Sequence, residues 1–175
     1  MIKKAGMAIT VVGLTVVFLS VWQLKTVTVT LPRESGRRIY ETIVDPDDEI
    51  RFRYRHSVEL TWVEGRFQVD KHGQLLAIET RMESVGTGLP NTASPDTRLE
   101  ANQIIADEKK RPLPALRFYI LPINQVHLTI AGKRVDLENL RAGVLIEISV
   151  QRMRAIKWLF ERYVVKLFAQ TELNS

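Results

Sequence analysis

Hydrophobic positions follow three different patterns along the chain. From Ala5 to Leu24 they are nearly continuous and uncharged, which predicts a helix about as long as a bilayer is thick. From Thr26 onward apolar and polar residues alternate, as in β-strands with one buried face. Near the C-terminus apolar residues recur every three or four positions, which indicates an amphipathic helix. We therefore predict a membrane anchor (1–25), a β-rich domain (26–153) and a C-terminal helix and tail (154–175).

The alternating part contains nine segments that we predict to be strands, separated by turn signals such as Asp45-Pro46 and His72-Gly73. A series of this kind predicts a mainly β fold, either a single sandwich or a partly open barrel of seven to nine strands. The predicted strands are Thr26–Leu31, Arg37–Val44, Glu49–His56, Val63–Asp70, Leu75–Met82, Leu116–Ile123, Val126–Ile130, Lys133–Leu137 and Val144–Val150.

A long segment, residues 84–115, interrupts this series of strands. It contains four prolines and two glycines and shows no convincing alternation of apolar and polar positions. We predict a long loop with one short helix, Thr97–Lys109, capped by Asp96 or Thr97. About thirty residues without a strand are unusual inside a compact domain, so the loop is predicted to be functional or mobile.

The N-terminal apolar segment has two alternatives to a membrane anchor. A cleaved signal peptide would have a shorter apolar core and small residues before its cleavage site, whereas Phe18 precedes Ser20 here. A buried core helix is the other alternative. Lys3 and Lys4 place the N-terminus in the cytoplasm, but basic residues also follow the segment. A count of positive charges alone would therefore place the domain in the cytoplasm.

The predicted C-terminal helix carries apolar residues on both sides. Its main stripe contains Phe160 and Tyr163, whereas Trp158 and Val165 fall on the opposite side. The helix either packs on the sheet and leaves two apolar residues on the surface, or it contacts a membrane surface or a partner subunit. Trp22, at the far end of the anchor, is placed where interfacial aromatic residues are expected.

Composition narrows the chemistry. The chain contains no cysteine, which excludes disulfides, thiolate metal sites and cysteine nucleophiles. Its net charge of +5 suits an anionic membrane surface or an acidic partner. Nucleic acid is a weaker candidate because the sequence contains no helix-turn-helix, zinc-finger or aromatic ribonucleoprotein signature.

The candidate catalytic and ligand-binding residues lie between Arg51 and Pro90. His56, Glu59 and Glu64 would bind a metal only with a further ligand such as His72, Glu83 or His127, and their spacing matches no known zinc pattern. Strand parity places His56 on the face of Phe52, Tyr54 and Val58, which favours a structural histidine. Ser57 would point to the opposite face, so the two cannot form a nucleophile–base pair. We therefore predict no enzyme activity, no metal and no cofactor.

Two further features of this segment have structural and functional interpretations. The run Gly86-Thr87-Gly88-Leu89-Pro90 lacks the residues of a phosphate loop. It is either a tight turn or a turn that presents backbone N–H groups to a ligand or a neighbouring chain. The row Arg51, Arg53 and Arg55 is either a solvated face that prevents edge pairing or a surface for an acidic partner.

Three short blocks of this segment resemble the signature of a family of small, uncharacterised bacterial proteins. The family usually has Ala between the two glycines of its last block, where this chain has Thr87. Members often begin with a membrane segment, and their genes commonly lie beside tripartite ATP-independent periplasmic (TRAP) transporters of the TAXI class. The resemblance covers roughly residues 40–150, and its blocks are Tyr54-x-His56-Ser57-Val58-Glu59, Val63-Glu64-x-x-Phe67 and Gly86-x-Gly88-Leu89-Pro90.

The resemblance implies a non-enzymatic accessory subunit of such a transporter. It implies one span in the inner membrane, a β-domain in the periplasm, and partners that are the permease, its solute-binding receptor and the lipid bilayer. The alternative is a stand-alone anchored periplasmic module that binds a ligand or a metal. The candidate partner or ligand surface consists of Tyr54, His56, Ser57, Glu59, Glu64, Gly86, Gly88, Leu89 and Pro90, and the candidate membrane or partner contacts are Trp22, Trp158 and Val165.

Overall fold

A computed structural model describes residues 2–84 and 96–164, with side chains from Thr10 to Tyr163 in those ranges. The chain divides into two compact units, one formed by residues 26–151 and the other by the segments before and after them. The described elements are α1 (Ile2–Val21), β1 (Gln23–Leu31), β2 (Arg37–Ile43), β3 (Glu49–Arg55), β4 (Trp62–Val69), β5 (Leu75–Met82), β6 (Thr97–Glu100), β7 (Gln103–Leu113), β8 (Leu116–Ile120), a 3-10 turn (Pro122–Asn124), β9 (His127–Ile130), β10 (Lys133–Val135), β11 (Val144–Arg154), α2 (Ala155–Leu159) and a π-helical turn (Phe160–Val164).

The strands form two antiparallel sheets. One contains four strands in the order β2-β1-β11-β8, and the other contains seven in the order β10-β9-β3-β4-β5-β7-β6. The mainly β fold predicted from the alternating pattern is therefore confirmed. Because side chains point alternately to the two faces of a strand, each sheet presents one apolar face that can be buried against the other sheet.

One hydrophobic core lies between the sheets. In the four-stranded sheet β1 contributes Val27, Val29 and Leu31, and across from them β3 contributes Ile50 and Phe52. All five are at most 3% exposed. Full burial of such side chains stabilises a fold by about 1.5–3 kcal/mol each. The same core includes Phe67, Val69, Leu75, Ala77, Leu128, Ile130, Ile146 and Ile148.

A smaller apolar cluster lies farther along the seven-stranded sheet. Val63, Met82 and Ile104 occupy directly opposed positions on β4, β5 and β7, and Tyr54 packs against them. Direct cross-strand contacts of this kind stabilise a sheet. The cluster therefore gives this end of the sheet its own buried interior and holds β7 in register.

Strand direction defines one end of the sandwich, which we call the tip. β3 reaches the tip at Arg55 and β8 reaches it at Ile120, and the 3-10 turn follows β8 there. The side chain of Asn124 donates a hydrogen bond to the carbonyl oxygen of Arg55 (3.1 Å), which joins the ends of the two sheets. The tip consists of the loop 56–61 between β3 and β4 and of residues 121–126.

The predicted loop over 84–115 and its helix Thr97–Lys109 are wrong for the described residues from 96 onward. These residues form the hairpin β6–β7 at the edge of the larger sheet. Its turn residues Ala101 and Asn102 both have left-handed backbones (φ 48° and 64°), as in a tight hairpin turn. The second half of β7, after Ala106, is mostly exposed and rich in charged residues. The sequence therefore shows no apolar–polar alternation there, and the strand was not predicted.

Glutamates and arginines form a row of ion pairs on the outer face of the larger sheet. Arg66 of β4 is central, because its guanidinium pairs with Glu49 of β3 and, at 2.8 Å, with Glu79 of β5. Glu49 also pairs with Arg51 (2.7 Å), and Glu79 pairs with Arg81 (2.6 Å). Burial alone would raise the pKa of both carboxyl groups, but hydrogen bonds and positive charge from the arginines outweigh it, so both pKa values are lowered.

Gly65 occupies a position in β4 that leaves no room for a side chain. A Cβ atom at this residue would lie 2.9 Å from the ring of Phe67, which folds back over the glycine. Phe52 is the residue directly opposite Gly65 on β3. The missing side chain thus lets the ring of Phe67 pack directly against the backbone of its own strand.

The second unit contains α1, α2 and the π-helical turn. No helix within the described residues is both long and apolar enough to cross a membrane. α2 begins at Ala155, whose backbone N–H donates to the carbonyl oxygen of Trp22 (2.8 Å). Phe160 and Tyr163, predicted to lie on the main apolar stripe of the C-terminal helix, are 57% and 62% exposed. Val165 and the rest of the predicted helix lie outside the described residues.

Candidate functional site

The loop that follows β3 is organised by His56. The backbone N–H of Leu60 donates to the carbonyl oxygen of His56 (2.9 Å), and Leu60 adopts a left-handed backbone with φ 54°. The ring nitrogen Nδ1 of His56 accepts from the backbone N–H groups of Val58 (3.4 Å) and Glu59 (3.3 Å). An accepting Nδ1 requires the proton of the neutral ring to be on Nε2. The imidazole thus supports the loop through its Nδ1 atom.

The predicted strand face is wrong beyond Arg55. We expected His56 and Val58 to continue the face of Phe52 and Tyr54, but β3 ends at Arg55. The chain turns at His56, and Val58 is 68% exposed. Strand parity therefore does not apply to these residues, and the apolar side chain of Val58 is presented to the solvent rather than to the core.

The 3-10 turn after β8 also supports this loop, through Asn124. Asn124 is 5% exposed and donates to the carbonyl oxygen of Arg55, whose own Nε donates to the carbonyl oxygen of Leu60 (2.8 Å). The bond to the Arg55 carbonyl oxygen satisfies the buried side-chain amide of Asn124. Sequence reasoning missed Asn124. Its signal was the Pro-Ile-Asn turn after β8, of which the first two residues were included in the predicted strand Leu116–Ile123.

Large apolar side chains are exposed where these segments meet. We call this the tip surface, and it includes residues of the loop after β3, of the end of β8 and of the 3-10 turn. Single exposed apolar residues are ordinary in soluble proteins, but a group of them in one place marks an interaction site. The tip surface consists of Val58, Leu60, Tyr119, Leu121 and Ile123, each 40–68% exposed.

Two cavities lie on either side of Leu121. One has a volume of about 330 Å³ and is lined by Tyr54, His56, Ser57, Arg117, Phe118, Tyr119, Leu121 and Asn124. Burial raises the pKa of the Tyr54 hydroxyl, and its ring lies 4.8 Å from that of Phe118. The other has a volume of about 420 Å³ and is lined mostly by apolar residues from Ile120 to Ala142. Both volumes lie within or near the range of small-molecule pockets.

The two predicted carboxylates lie on different elements. Glu59 belongs to the loop, where the hydroxyl of Ser84 donates to it at 3.5 Å. Glu64 is directly opposite Arg53 and Arg81 on the neighbouring strands, on the outer face of the larger sheet. The structure therefore brings Tyr54, His56, Ser57 and Glu59 to the tip but places Glu64 elsewhere.

The third predicted block lies outside the described residues, but the chain is described up to Ser84, just before it. Glu83 and Trp62 exchange two hydrogen bonds, one from the Trp62 N–H to the Glu83 carboxylate (3.2 Å) and one from the Glu83 N–H to the Trp62 carbonyl oxygen (3.3 Å). The chain thus leaves β5 beside the start of β4, next to the tip loop. Gly86, Gly88, Leu89 and Pro90 lie in the stretch 85–95 and are not described.

The arginine row of β3 finds its partners within the chain. Arg51 pairs with Glu49, and Arg53 lies over the ring of Trp62 (4.3 Å to its centre). The ring of Trp62 also contacts that of His127, with ring centres 5.7 Å apart. His127 is thereby held in an aromatic contact. Within residues 2–84 and 96–164, no group of three metal-binding side chains is present.

The structure is a domain of two antiparallel β-sheets with a group of exposed apolar side chains at one end. Residues 50–137, about half of the chain, match a family described as a domain of unknown function (DUF1850), and the chain belongs to that family. The matched region runs from β3 to just past β10 and contains both segments of the tip. No curated protein and no solved structure is detectably similar to the chain.

Proposed function

We propose that this protein is a non-enzymatic accessory subunit of a TAXI-class TRAP transporter and that the tip surface binds the permease. The observation that carries the proposal is the group of exposed apolar residues at one end of the sandwich. One of the three blocks that resemble the transporter-associated family, Tyr54–Glu59, lies at this end, and the described chain leaves β5 beside it at Glu83. The resemblance, rather than composition or periodicity, supplies the link to a transporter.

The proposal includes anchoring in the inner membrane with the β-domain in the periplasm. It is supported by the uncharged sequence from Ala5 to Leu24. Large apolar side chains of α1 such as Val12, Leu14 and Val17 are 62–65% exposed. An exposed apolar surface of this size is unfavourable in water and is stable against lipid.

A charge placed in the tip surface tests the proposal. In the full chain, Ile123→Asp puts a carboxylate where an apolar partner surface is expected, whereas Leu99→Asp changes an equally apolar residue of β6 that is 71% exposed. We expect Ile123→Asp to lower both solute uptake by cells and the yield of the complex with the permease. Leu99→Asp should leave both unchanged.

The matched pair also defines the contradicting result. If both variants reach the membrane in normal amounts and support equal uptake and equal complex yield, the tip surface does not bind the permease. Equal loss in the two variants would show a general effect of surface charge and would likewise count against the proposal.

A stand-alone ligand-binding module is the second candidate function. The apolar cavity of about 420 Å³ beside Leu121 favours it, since it is large enough for a small organic molecule. Native mass spectrometry of the full chain, released from detergent without denaturation, distinguishes the two candidates. A bound small molecule at full occupancy, lost in Leu140→Trp, would support the module, and an empty protein would support the accessory subunit.

A further inference from the structure

The unit formed by the two ends of the chain places a basic, aromatic segment beside the end of α1. The N–H of Ala155 donates to the carbonyl oxygen of Trp22 (2.8 Å), and α2 contacts α1. Trp22 directly follows α1, whose last residue is Val21. The segment from Arg152 to Tyr163 is therefore held at the level at which the apolar helix ends.

Most aromatic side chains of this unit are exposed, whereas Trp158 is half-buried. Trp22 is 51% exposed, and Phe160 and Tyr163 are exposed to a similar extent. The ring of Trp22 lies 4.9 Å from that of Phe18, and the guanidinium of Arg162 lies 5.1 Å from the centre of the Trp158 ring. Tryptophan and tyrosine prefer the boundary between apolar and hydrated layers, because each has an apolar ring and a polar group.

The same segment carries excess positive charge. Arg152, Arg154, Lys157 and Arg162 are opposed by one acidic residue, Glu161. Glu161 pairs with Lys157 at 3.7 Å. Basic side chains beside exposed aromatic rings complement an anionic lipid surface, since the rings enter the interface while the cations meet the phosphates.

We propose that residues 152–163, together with Trp22, bind anionic phospholipid headgroups at the membrane surface. The inference rests on the membrane anchor of the proposed function and specifies what the C-terminal segment contacts there. It assigns Trp158 and Tyr163 to the interface, and Arg154 and Lys157 to phosphate groups. A surface of this chemistry would also hold the segment at a fixed depth relative to the bilayer.

The three tryptophans of the chain permit a direct test. Full-length variants that keep only Trp22, only Trp62 or only Trp158, with phenylalanine at the other two positions, are reconstituted into phosphatidylcholine vesicles with or without phosphatidylglycerol. The vesicles contain lipids brominated at shallow or at deep chain positions. Bromine quenches tryptophan only at close range, so emission reports the depth of each ring.

We expect Trp158 to lose emission to shallow bromines more than to deep ones, and to do so more strongly when phosphatidylglycerol is present. Trp22 should be quenched in both vesicle types. Trp62, on the outer face of the larger sheet, should keep its emission and so serves as the control for adsorption of the β-domain.

Removing basic side chains tests the electrostatic contribution to the contact between the segment and anionic lipid. Arg154→Gln with Lys157→Gln, made in the Trp158-only chain, should weaken the contact about fivefold per charge removed, visible as less quenching in anionic vesicles. Lys133→Gln with Arg141→Gln removes two exposed basic residues of the β-domain and should have no effect.

The outcomes separate this inference from the proposed function. If Trp22 is quenched but Trp158 is not, the anchor stands and the headgroup contact is refuted. If neither is quenched, the anchor itself fails. Equal quenching of Trp158 with and without phosphatidylglycerol refutes the role of anionic lipid, and protection of Trp158 only when the permease is present would assign the segment to a protein partner instead.

Discussion

The ion-pair row on the outer face of the larger sheet makes a quantitative prediction about Arg66. Substitution Arg66→Met keeps most of the aliphatic stem, which covers the sheet, but removes the guanidinium that pairs with Glu49 and Glu79. The two carboxylates are not left without partners, because Glu49 retains Arg51 and Glu79 retains Arg81. The substitution therefore removes the bridge between three strands without creating an isolated buried charge.

The magnitude follows from the exposure of the groups. A hydrogen bond to a charged group contributes about 1.5–3 kcal/mol when it is well buried, and an exposed ion pair contributes about 0–1 kcal/mol. The side chains of Arg66, Glu49 and Glu79 are 31%, 26% and 12% exposed, between these limits. For two such bonds we expect Arg66→Met to lower the free energy of unfolding by about 2 kcal/mol.

Thermal unfolding of the full chain in mild detergent, followed by circular dichroism, measures this loss. A change of 2 kcal/mol corresponds to about 4–8 °C for a chain of this length. The matched control is Arg51→Met, since the Arg51 side chain is 54% exposed and pairs with Glu49 at the edge of the row. We expect the control to change the free energy of unfolding by less than about 0.5–1 kcal/mol.

Acid should remove the difference between wild type and Arg66→Met. Both carboxyl pKa values are lowered from 4.5 in the folded state, so their contribution is fully present above that value. It is lost as the pH falls through the folded-state pKa values, where both groups become protonated. Equal stability of Arg66→Met and Arg51→Met at pH 7 would refute the reasoning. So would a difference in stability between wild type and Arg66→Met that is as large in strong acid as at pH 7.

Three further predictions concern packing and are measured by chemical denaturation. Gly65→Ala should cost about 1–3 kcal/mol because its Cβ would collide with Phe67, and Ile148→Ala should cost about 2–5 kcal/mol because it leaves a cavity between the sheets. Asn124→Ala should cost about 1–3 kcal/mol and expose the tip loop to proteolysis, since the Arg55 carbonyl loses its donor. In each case, a change in the free energy of unfolding below about 0.5 kcal/mol would contradict the prediction.

Alternation of apolar and polar residues was sufficient to find most of the fold. β5 agrees with its predicted range at both ends, and β2, β3 and β4 agree to within one residue at each end. β3, β4 and β5 are interior strands of the larger sheet with one face buried, so their sequence has to alternate. The pattern failed for β7, because a strand with an exposed far half needs no regular alternation there.

The candidate site was predictable only in part, for reasons of geometry. The structure places Tyr54, His56, Ser57 and Glu59 at the tip, whereas Glu64 lies within β4, directly opposite Arg53 of β3. Asn124 and Leu121 join the tip from a segment more than sixty residues away, and no local pattern encodes such a meeting. The bridging role of Arg66 likewise depends on the order of three strands.

Affinity purification of the tagged full-length protein from its native membranes, in mild detergent, tests the central claim most directly. We expect the permease of a TRAP transporter to co-purify with the wild-type protein and with Leu99→Asp, and to be lost from Ile123→Asp. A wild-type protein that is recovered in good yield without a permease, or a permease that binds all three proteins equally, would contradict the account.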